Sequence, residues 1–147
     1  MTEVSLKILR TNPRVMLPEK KSEGSAGMDI CSFLNRDVTI PPLGRAKIPT
    51  GLKMEIPLGY EAQIRPRSGL AINSGLTVLN SPGTIDSDYR GEIEVILINL
   101  GERDVVIKDG QRIAQLVTAP VCSVKIEETS VLKESERGGG GFGSTGV

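Results

Sequence analysis

The 147-residue sequence predicts an all-β domain, a jelly-roll-like sandwich or barrel of short strands, and three observations carry that prediction. Its 17 glycines and 9 prolines punctuate the chain. The segments between them are short and rich in Val, Ile, Leu and Thr, a mixture that suits a pleated, half-buried surface. No window keeps a 3.6-residue apolar period over three helical turns. A chain of this length forms one domain and buries roughly 70% of its unfolded surface, so its core needs no metal or disulfide.

Taken in order, the strands are expected at residues 6–9, 28–31, 38–40, 45–48, 52–56, 60–65, 76–79, 92–100, 105–107, 112–118 and 121–126. Ile40-Pro41-Pro42-Leu43-Gly44 and Ile56-Pro57-Leu58-Gly59 read as turns, because proline presets φ and has no N–H for a ladder. Within 92–100, Ile93, Val95 and Leu97 oppose Glu92 and Glu94 but then Ile96 and Ile98. That strand starts one-sided and enters a core midway. About eleven such strands in a domain of this size call for a sandwich or jelly roll.

The last stretch differs in character. Residues 133–136 are polar, and six glycines fall between Arg137 and Gly146. The expected organisation is a core over 1–132 and a Gly-rich lid or arm over 133–147, both within one domain.

Charge and composition exclude several roles. Eighteen basic and 18 acidic side chains are scattered rather than clustered, which leaves no electrostatic footprint for nucleic acid or a membrane surface. No apolar run approaches the length of a membrane span, and the opening lacks a signal-peptide layout, so a cytoplasmic protein is expected. Cys31 and Cys122 stand far apart in apolar stretches and read as reduced, buried thiols. There is no histidine. Ser-His-Asp and Cys-His mechanisms are therefore excluded, and proton transfer falls to a carboxylate or another of the remaining groups.

Five segments concentrate chemistry. Ser25-Ala26-Gly27-Met28-Asp29 leads a carboxylate into a strand, and Arg65-Pro66-Arg67-Ser68-Gly69-Leu70-Ala71 groups a guanidinium, a hydroxyl and unhindered backbone N–H at a strand end. The second set are phosphate-binding parts. Residues 80–91 place an amide, two carboxylates and one of four aromatic rings in a run of turn formers, more than a solvent-facing hairpin requires. Gln115 stands inside the apolar strand Arg112-Ile113-Ala114-Gln115-Leu116-Val117, where a structural amide is the plainer reading. Gly141-Phe142-Gly143-Ser144-Thr145-Gly146 fits G-x-G-x-x-G in form only, since no strand precedes it and no helix or acidic residue follows it. Its glycines, hydroxyls, aromatic ring and nearby Arg137 are the parts of either a disordered tail or a lid ordered by a nucleotide.

Read together, the segments resemble the five motifs of the trimeric deoxyuridine triphosphate nucleotidohydrolases, the dUTPases. The matches are Ala26-Gly27-Met28-Asp29, Arg67-Ser68-Gly69-Leu70-Ala71, Gly83-Thr84-Ile85-Asp86-Ser87-Asp88-Tyr89-Arg90-Gly91, Arg112-Ile113-Ala114-Gln115-Leu116, and Arg137-Gly138 with Gly141 to Gly146. Each is short, but all five follow the family's order and spacing. Met28 stands where many relatives carry an aromatic residue.

The resemblance implies hydrolysis of dUTP to dUMP and pyrophosphate, which keeps uracil out of DNA and supplies dUMP for thymidylate synthesis. It implies a homotrimeric jelly roll whose C-terminal arms are exchanged and whose active sites are shared among subunits. It also implies the roles of individual residues. Asp86 would be the general base that deprotonates the water attacking the α-phosphorus, a task for which a carboxylate ionised at neutral pH suffices. Tyr89 would lie beneath the deoxyribose and exclude a 2′-hydroxyl. Asn80, with backbone groups near Thr84, Ile85 and Glu94, would read the polar edge of uracil. Arg67, Ser68, Gly69 and Gln115 resemble the phosphate contacts of the core, and Arg137 that of the lid. Phe142 would stack on uracil, with Gly143, Ser144 and Thr145 adding phosphate contacts. Asp29 would hold Mg²⁺ through water, as suits an ion that keeps much of its hydration. Two rivals stand beside this reading. A dCTP deaminase of the same fold would need a glutamate acting on the cytosine amino group and would usually lack Ile85-Asp86-Ser87-Asp88-Tyr89-Arg90-Gly91. A non-catalytic nucleotide-sensing trimer would tolerate loss of Asp86, Tyr89 or the lid.

Overall fold

The computed structural model describes residues 3–146, so the outermost ends of the expected core and lid, residues 1, 2 and 147, lie outside the described residues. The chain runs through β1 (Lys7–Arg10), β2 (Met28–Cys31), β3 (Val38–Ile40), β4 (Arg45–Glu55), β5 (Tyr60–Arg65), α1 (Ser68–Ser74), β6 (Leu76–Val78), β7 (Gly83–Ile85), β8 (Glu92–Asn99), β9 (Val105–Ile107) and β10 (Arg112–Pro120). One four-stranded sheet has the order β1-β4-β8-β6, a second the order β2-β10-β5-β7, and β3 pairs with β9 in a ribbon. All these pairings are antiparallel.

One apolar core joins the layers. Ile48, Leu52, Val95 and Leu97 enter it from the first sheet, Ile30, Ile64 and Leu116 from the second, and Ile40 and Ile107 from the ribbon. Strict alternation along β8 buries Ile93, Val95, Leu97 and Asn99, while Ile96 and Ile98 are half-buried on the opposite face. The apolar second half read from the sequence is therefore a second, partly covered face rather than a deeper core.

The structure corrects several sequence expectations. The two strands expected at 45–48 and 52–56 are one, β4, which runs through Pro49 and Gly51 by means of a register shift between Pro49 and Lys53 and ends at Glu55. Buried Thr50 ties the shifted segment to β8, donating its hydroxyl at 2.5 Å to the Ile93 carbonyl, while the Pro49 and Gly51 carbonyls accept from the N–H groups of Phe33 and Thr11. Gly51 has φ +69°, and a Cβ there would press on Val15. Residues 68–74 form α1 instead of a turn, closed by Gly75 in the left-handed region with its N–H bonded to the Ala71 carbonyl. Residues 83–85 form β7, which three turn-forming neighbours concealed. Residues 121–126 form no strand: the ladder beside β5 ends with the bond from the Val121 N–H to the Gly59 carbonyl at 2.8 Å, no strand among the described residues pairs with 122–126, and Val124 and Ile126 stand exposed. The thiols differ too. Cys122 is exposed, while Cys31 is half-buried with its pKa pushed up by burial and by the neighbouring Asp29 carboxylate.

Among the described residues, no helix is long and apolar enough to cross a membrane.

Candidate active site

The hairpin between β7 and β8 builds a cavity of about 190 Å³. Six of the residues singled out by sequence line it: Asn80, Thr84, Ile85, Asp86, Tyr89 and Glu94. Apolar walls come from Ile64 on β5, Val78 on β6, and Ile93, Val95 and Ile96 on β8. A flat apolar body with a polar edge suits this lining.

Local sequence shapes the slot. β7 pairs with β5 so that Gly83 faces Ile64, where an added Cβ would lie 3.3 Å from the Ile64 Cβ and 3.4 Å from the Asn80 amide nitrogen. Glycine leaves that space to the cavity. The Tyr89 ring folds over Gly91, and a Cβ at Gly91 would collide with its hydroxyl and ring. Tyr89 is fixed further by its hydroxyl, which donates to the Glu92 carbonyl at 3.1 Å, and by its N–H, which donates to the Asp86 carbonyl at 3.2 Å. Arg90 turns away to donate to the carbonyls of Ser87 and Tyr89, so it braces the hairpin. Asp86 is exposed at the rim.

Glu94 is paired across the sheet with Lys47 at 3.0 Å, a partner that sequence reasoning did not find. The hydrogen bond from Lys47 to Glu94 holds the ammonium above its usual pKa. Only strand pairing brings the two together, since β4 and β8 lie far apart in sequence.

A second cluster forms on the outer face of the other sheet. Asp29 on β2 accepts from Arg67 Nε at 3.1 Å and from Arg112 at 3.2 Å, and its carboxylate is only 15% exposed. Arg67 caps the start of α1 with an extended backbone and no side-chain cap, leaving the N–H groups at Ser68 and Gly69 open. Gln115 lies opposite Asp29 and Arg65 in the ladder and donates to the Pro66 carbonyl at 2.9 Å. Its side chain covers Gly27, where any Cβ would strike Oε1. Gln115 thus has the structural partner that its place in an apolar strand suggested, and it ties the Gly27 and Arg67 segments together.

The Arg67 fork is preoriented, because Asp29 engages Nε and leaves the two terminal nitrogens free for an oxyanion. Among the described residues, no three His, Cys, Asp or Glu side chains converge as a metal cage. Asp29 nonetheless keeps acceptor capacity beyond the two arginine bonds, enough to receive the waters of a hydrated cation.

The cavity and this cluster share no lining residue. The predicted lid residues join neither. Arg137 donates to the Gly140 carbonyl at 2.7 Å in a local turn, Phe142 is fully exposed, and Gly143, Ser144 and Thr145 are exposed as well.

Comparison with known proteins gives a consistent result. Residues 14–146 match the family described as dUTPase. The chain is 56% identical over 146 residues to the deoxyuridine 5′-triphosphate nucleotidohydrolase of Caldanaerobacter subterraneus subsp. tengcongensis, covering 98% of this chain and 99% of that one. It is also 56% identical over 133 residues to the protein of the same name from Rhizobium etli, covering 89% and 85%. Among solved structures it resembles a Staphylococcus bacteriophage 80alpha dUTPase mutant with dUpNHpp. The TM-score is 0.88 at 27% identity, with 97% of this chain and 99% of that chain covered.

Proposed function

The chain belongs to the dUTPase family, and from that membership we propose how its site hydrolyses dUTP to dUMP and pyrophosphate. The observation that carries the reading is the hairpin cavity, in which one segment, residues 80–94, turns Asn80, Thr84, Ile85, Asp86, Tyr89 and Glu94 onto a slot walled by Ile64 and Val78.

Uracil enters the slot between Ile64, Val78 and the hairpin, with Asn80 and the backbone near Thr84, Ile85 and Glu94 meeting its polar edge. Cytosine presents a donor where uracil presents an acceptor, and a buried polar group left unpaired costs about 1–3 kcal/mol. The thymine methyl is excluded by volume. The Tyr89 ring, held over Gly91, supports the deoxyribose and leaves no room for a 2′-hydroxyl.

Asp86 orients water at the α-phosphorus and takes its proton as the new P–O bond forms and the bond to the bridging oxygen breaks. Pyrophosphate leaves. Arg67, with Ser68 and Gly69 at the start of α1, receives the phosphates, and Gln115 holds the segment that presents them. Asp29 keeps acceptor capacity for the waters of a Mg²⁺ that would arrive on the triphosphate, whose own negative charge offsets the two arginines, and such an ion would neutralise developing charge. Arg137, Phe142, Gly143, Ser144 and Thr145 close over the nucleotide as a lid.

A homotrimer with exchanged arms accounts for features that one chain leaves open. The cavity and the phosphate cluster share no lining residue, and the lid touches neither. Residues 121–126 are strand-like in sequence, yet beyond the Val121 bond to Gly59 they join no strand among the described residues, and an open groove between Leu6, Ile8, Met28, Tyr60 and Pro120 matches the apolar character of Val121, Val124 and Ile126. In this reading residues 1–132 carry the core and the exchanged strand, residues 133–147 form the lid, and the enzyme works in the cytoplasm without nucleic acid or membrane partners.

The test is pyrophosphate release from dUTP, dCTP, dTTP and UTP in parallel, with ammonia release followed from dCTP. Release from dUTP alone is expected. Equal release from UTP would remove the Tyr89 filter, and ammonia from dCTP would reassign the chemistry.

A further inference from the structure

β10 carries an irregularity that changes which face one arginine occupies. Along β10, Ala114 and Leu116 are buried opposite Ile30 and Met28, so regular alternation would turn Arg112 toward the core. Instead the register shifts between Arg112 and Ala114. Two successive residues, Ile113 and Ala114, are then buried, and Arg112 emerges on the outer face beside Asp29 at 3.2 Å. Bulges recur where a sheet must re-aim a side chain next to a functional site.

Asp29 is largely buried, so it cannot be left without a cationic partner at small cost. Arg67 already pairs with it, and a second arginine is superfluous for Asp29 alone. It is not superfluous when Arg67 must also serve phosphate. We propose that Arg112 is a positioning residue for the triphosphate: by holding the second oxygen of Asp29 it fixes the carboxylate that grips Arg67 Nε, and so keeps the two free terminal nitrogens of Arg67 aimed at phosphate oxygens. Arg112 also leaves the Asp29 cluster with net positive charge, one carboxylate against two guanidinium groups. The role belongs to the polyphosphate and not to the base, because Arg112 lines no part of the hairpin cavity. This inference rests on the assignment of the Arg67 cluster to phosphate.

The experiment compares Arg112→Gln, Arg112→Lys and Arg67→Gln in the full-length enzyme. It uses calorimetric binding of dUpNHpp and of dUMP, steady-state kinetics with dUTP, and thermal unfolding as a check of fold. Arg112→Gln is expected to weaken dUpNHpp by about tenfold, the scale of one charge-assisted hydrogen bond, and to raise KM more than it lowers kcat. Binding of dUMP should change much less, which a general loss of structure would not permit. Arg112→Lys should recover part of the affinity through charge while lacking the planar fork. Undiminished dUpNHpp affinity in a folded Arg112→Gln enzyme overturns the inference, as does equal weakening of dUMP and dUpNHpp. If Arg67→Gln also leaves dUpNHpp affinity intact, the phosphate assignment itself fails; if it weakens binding while Arg112→Gln does not, only the role of Arg112 falls.

Discussion

Asp86 sits exposed at the rim of the hairpin cavity, beside the turn that its own carbonyl helps to close by accepting from Tyr89. Replacing its carboxylate by an amide keeps the shape and removes the proton acceptor. Asp86→Asn should retain dUpNHpp binding and lower turnover by roughly 10²-fold or more, the usual scale for a lost general base. Single-turnover kinetics read this directly, and unchanged turnover would remove Asp86 from the reaction. Asp109 works in structure instead. Its carboxylate accepts from the Leu34 N–H at 2.8 Å and from Arg14 at 3.1 Å, and these bonds, the backbone one first, hold its pKa below the ordinary value despite some desolvation. A depressed carboxyl stabilises the fold above its unfolded pKa and loses that contribution as pH falls through the lower folded value. Denaturation of Asp109→Asn against the parent should therefore show a stability difference at neutral pH that shrinks through the acid range below about pH 4. A difference constant with pH would mean that the charge on Asp109 is immaterial.

At the scale of elements, the joints decide how the layers meet. Asn99 ends β8 fully buried, donating to the Ile40 carbonyl at 2.9 Å and the Arg103 carbonyl at 2.7 Å while accepting from the Gly101 N–H at 2.8 Å. It fastens β8 to the β3 end of the ribbon. Asn99→Ala orphans two carbonyls and one N–H and should cost about 2–4 kcal/mol, measurable by urea denaturation. A loss within experimental error would show that water replaces the amide. Most strands were legible because turn formers bracket them. Pro49 and Gly51 divide β4 in sequence, and the interruption is bridged by contacts that sequence does not show: the Thr50 hydroxyl on the Ile93 carbonyl, and the N–H groups of Phe33 and Thr11 on the carbonyls of Pro49 and Gly51. α1 escaped because seven residues are too few for a periodic pattern. Residues 121–126 read as a strand because composition reports the preference of a segment, not the presence of a partner. In the site, Asn80, Asp86 and Tyr89 stand out because a solvent-facing hairpin does not require an amide, two carboxylates and an aromatic ring together. Lys47 and the delivery of Arg112 did not, since one depends on pairing between distant strands and the other on a single-residue change of register.

At the scale of the whole molecule, the core and the tail are separable. The buried apolar cluster extends no further along the chain than Leu116, and residues from 121 to 146 are almost entirely exposed. Removing 137–147 should leave thermal stability and oligomeric state close to those of the intact protein while abolishing most dUTP turnover. Sedimentation and pyrophosphate release measure the two halves of that expectation, and a dissociated or unfolded product would make the tail a structural member. The exposed Phe142 has a further consequence. In the proposed closure the fully hydrated Phe142 ring would end stacked on the base and contribute a negative heat-capacity change to nucleotide association, opposed by the entropy of ordering a glycine-rich segment. Closure of the proposed lid would then be thermally tuned: warming strengthens the entropic opposition, so the fraction of bound nucleotide sealed from solvent would become a property of temperature as much as of concentration.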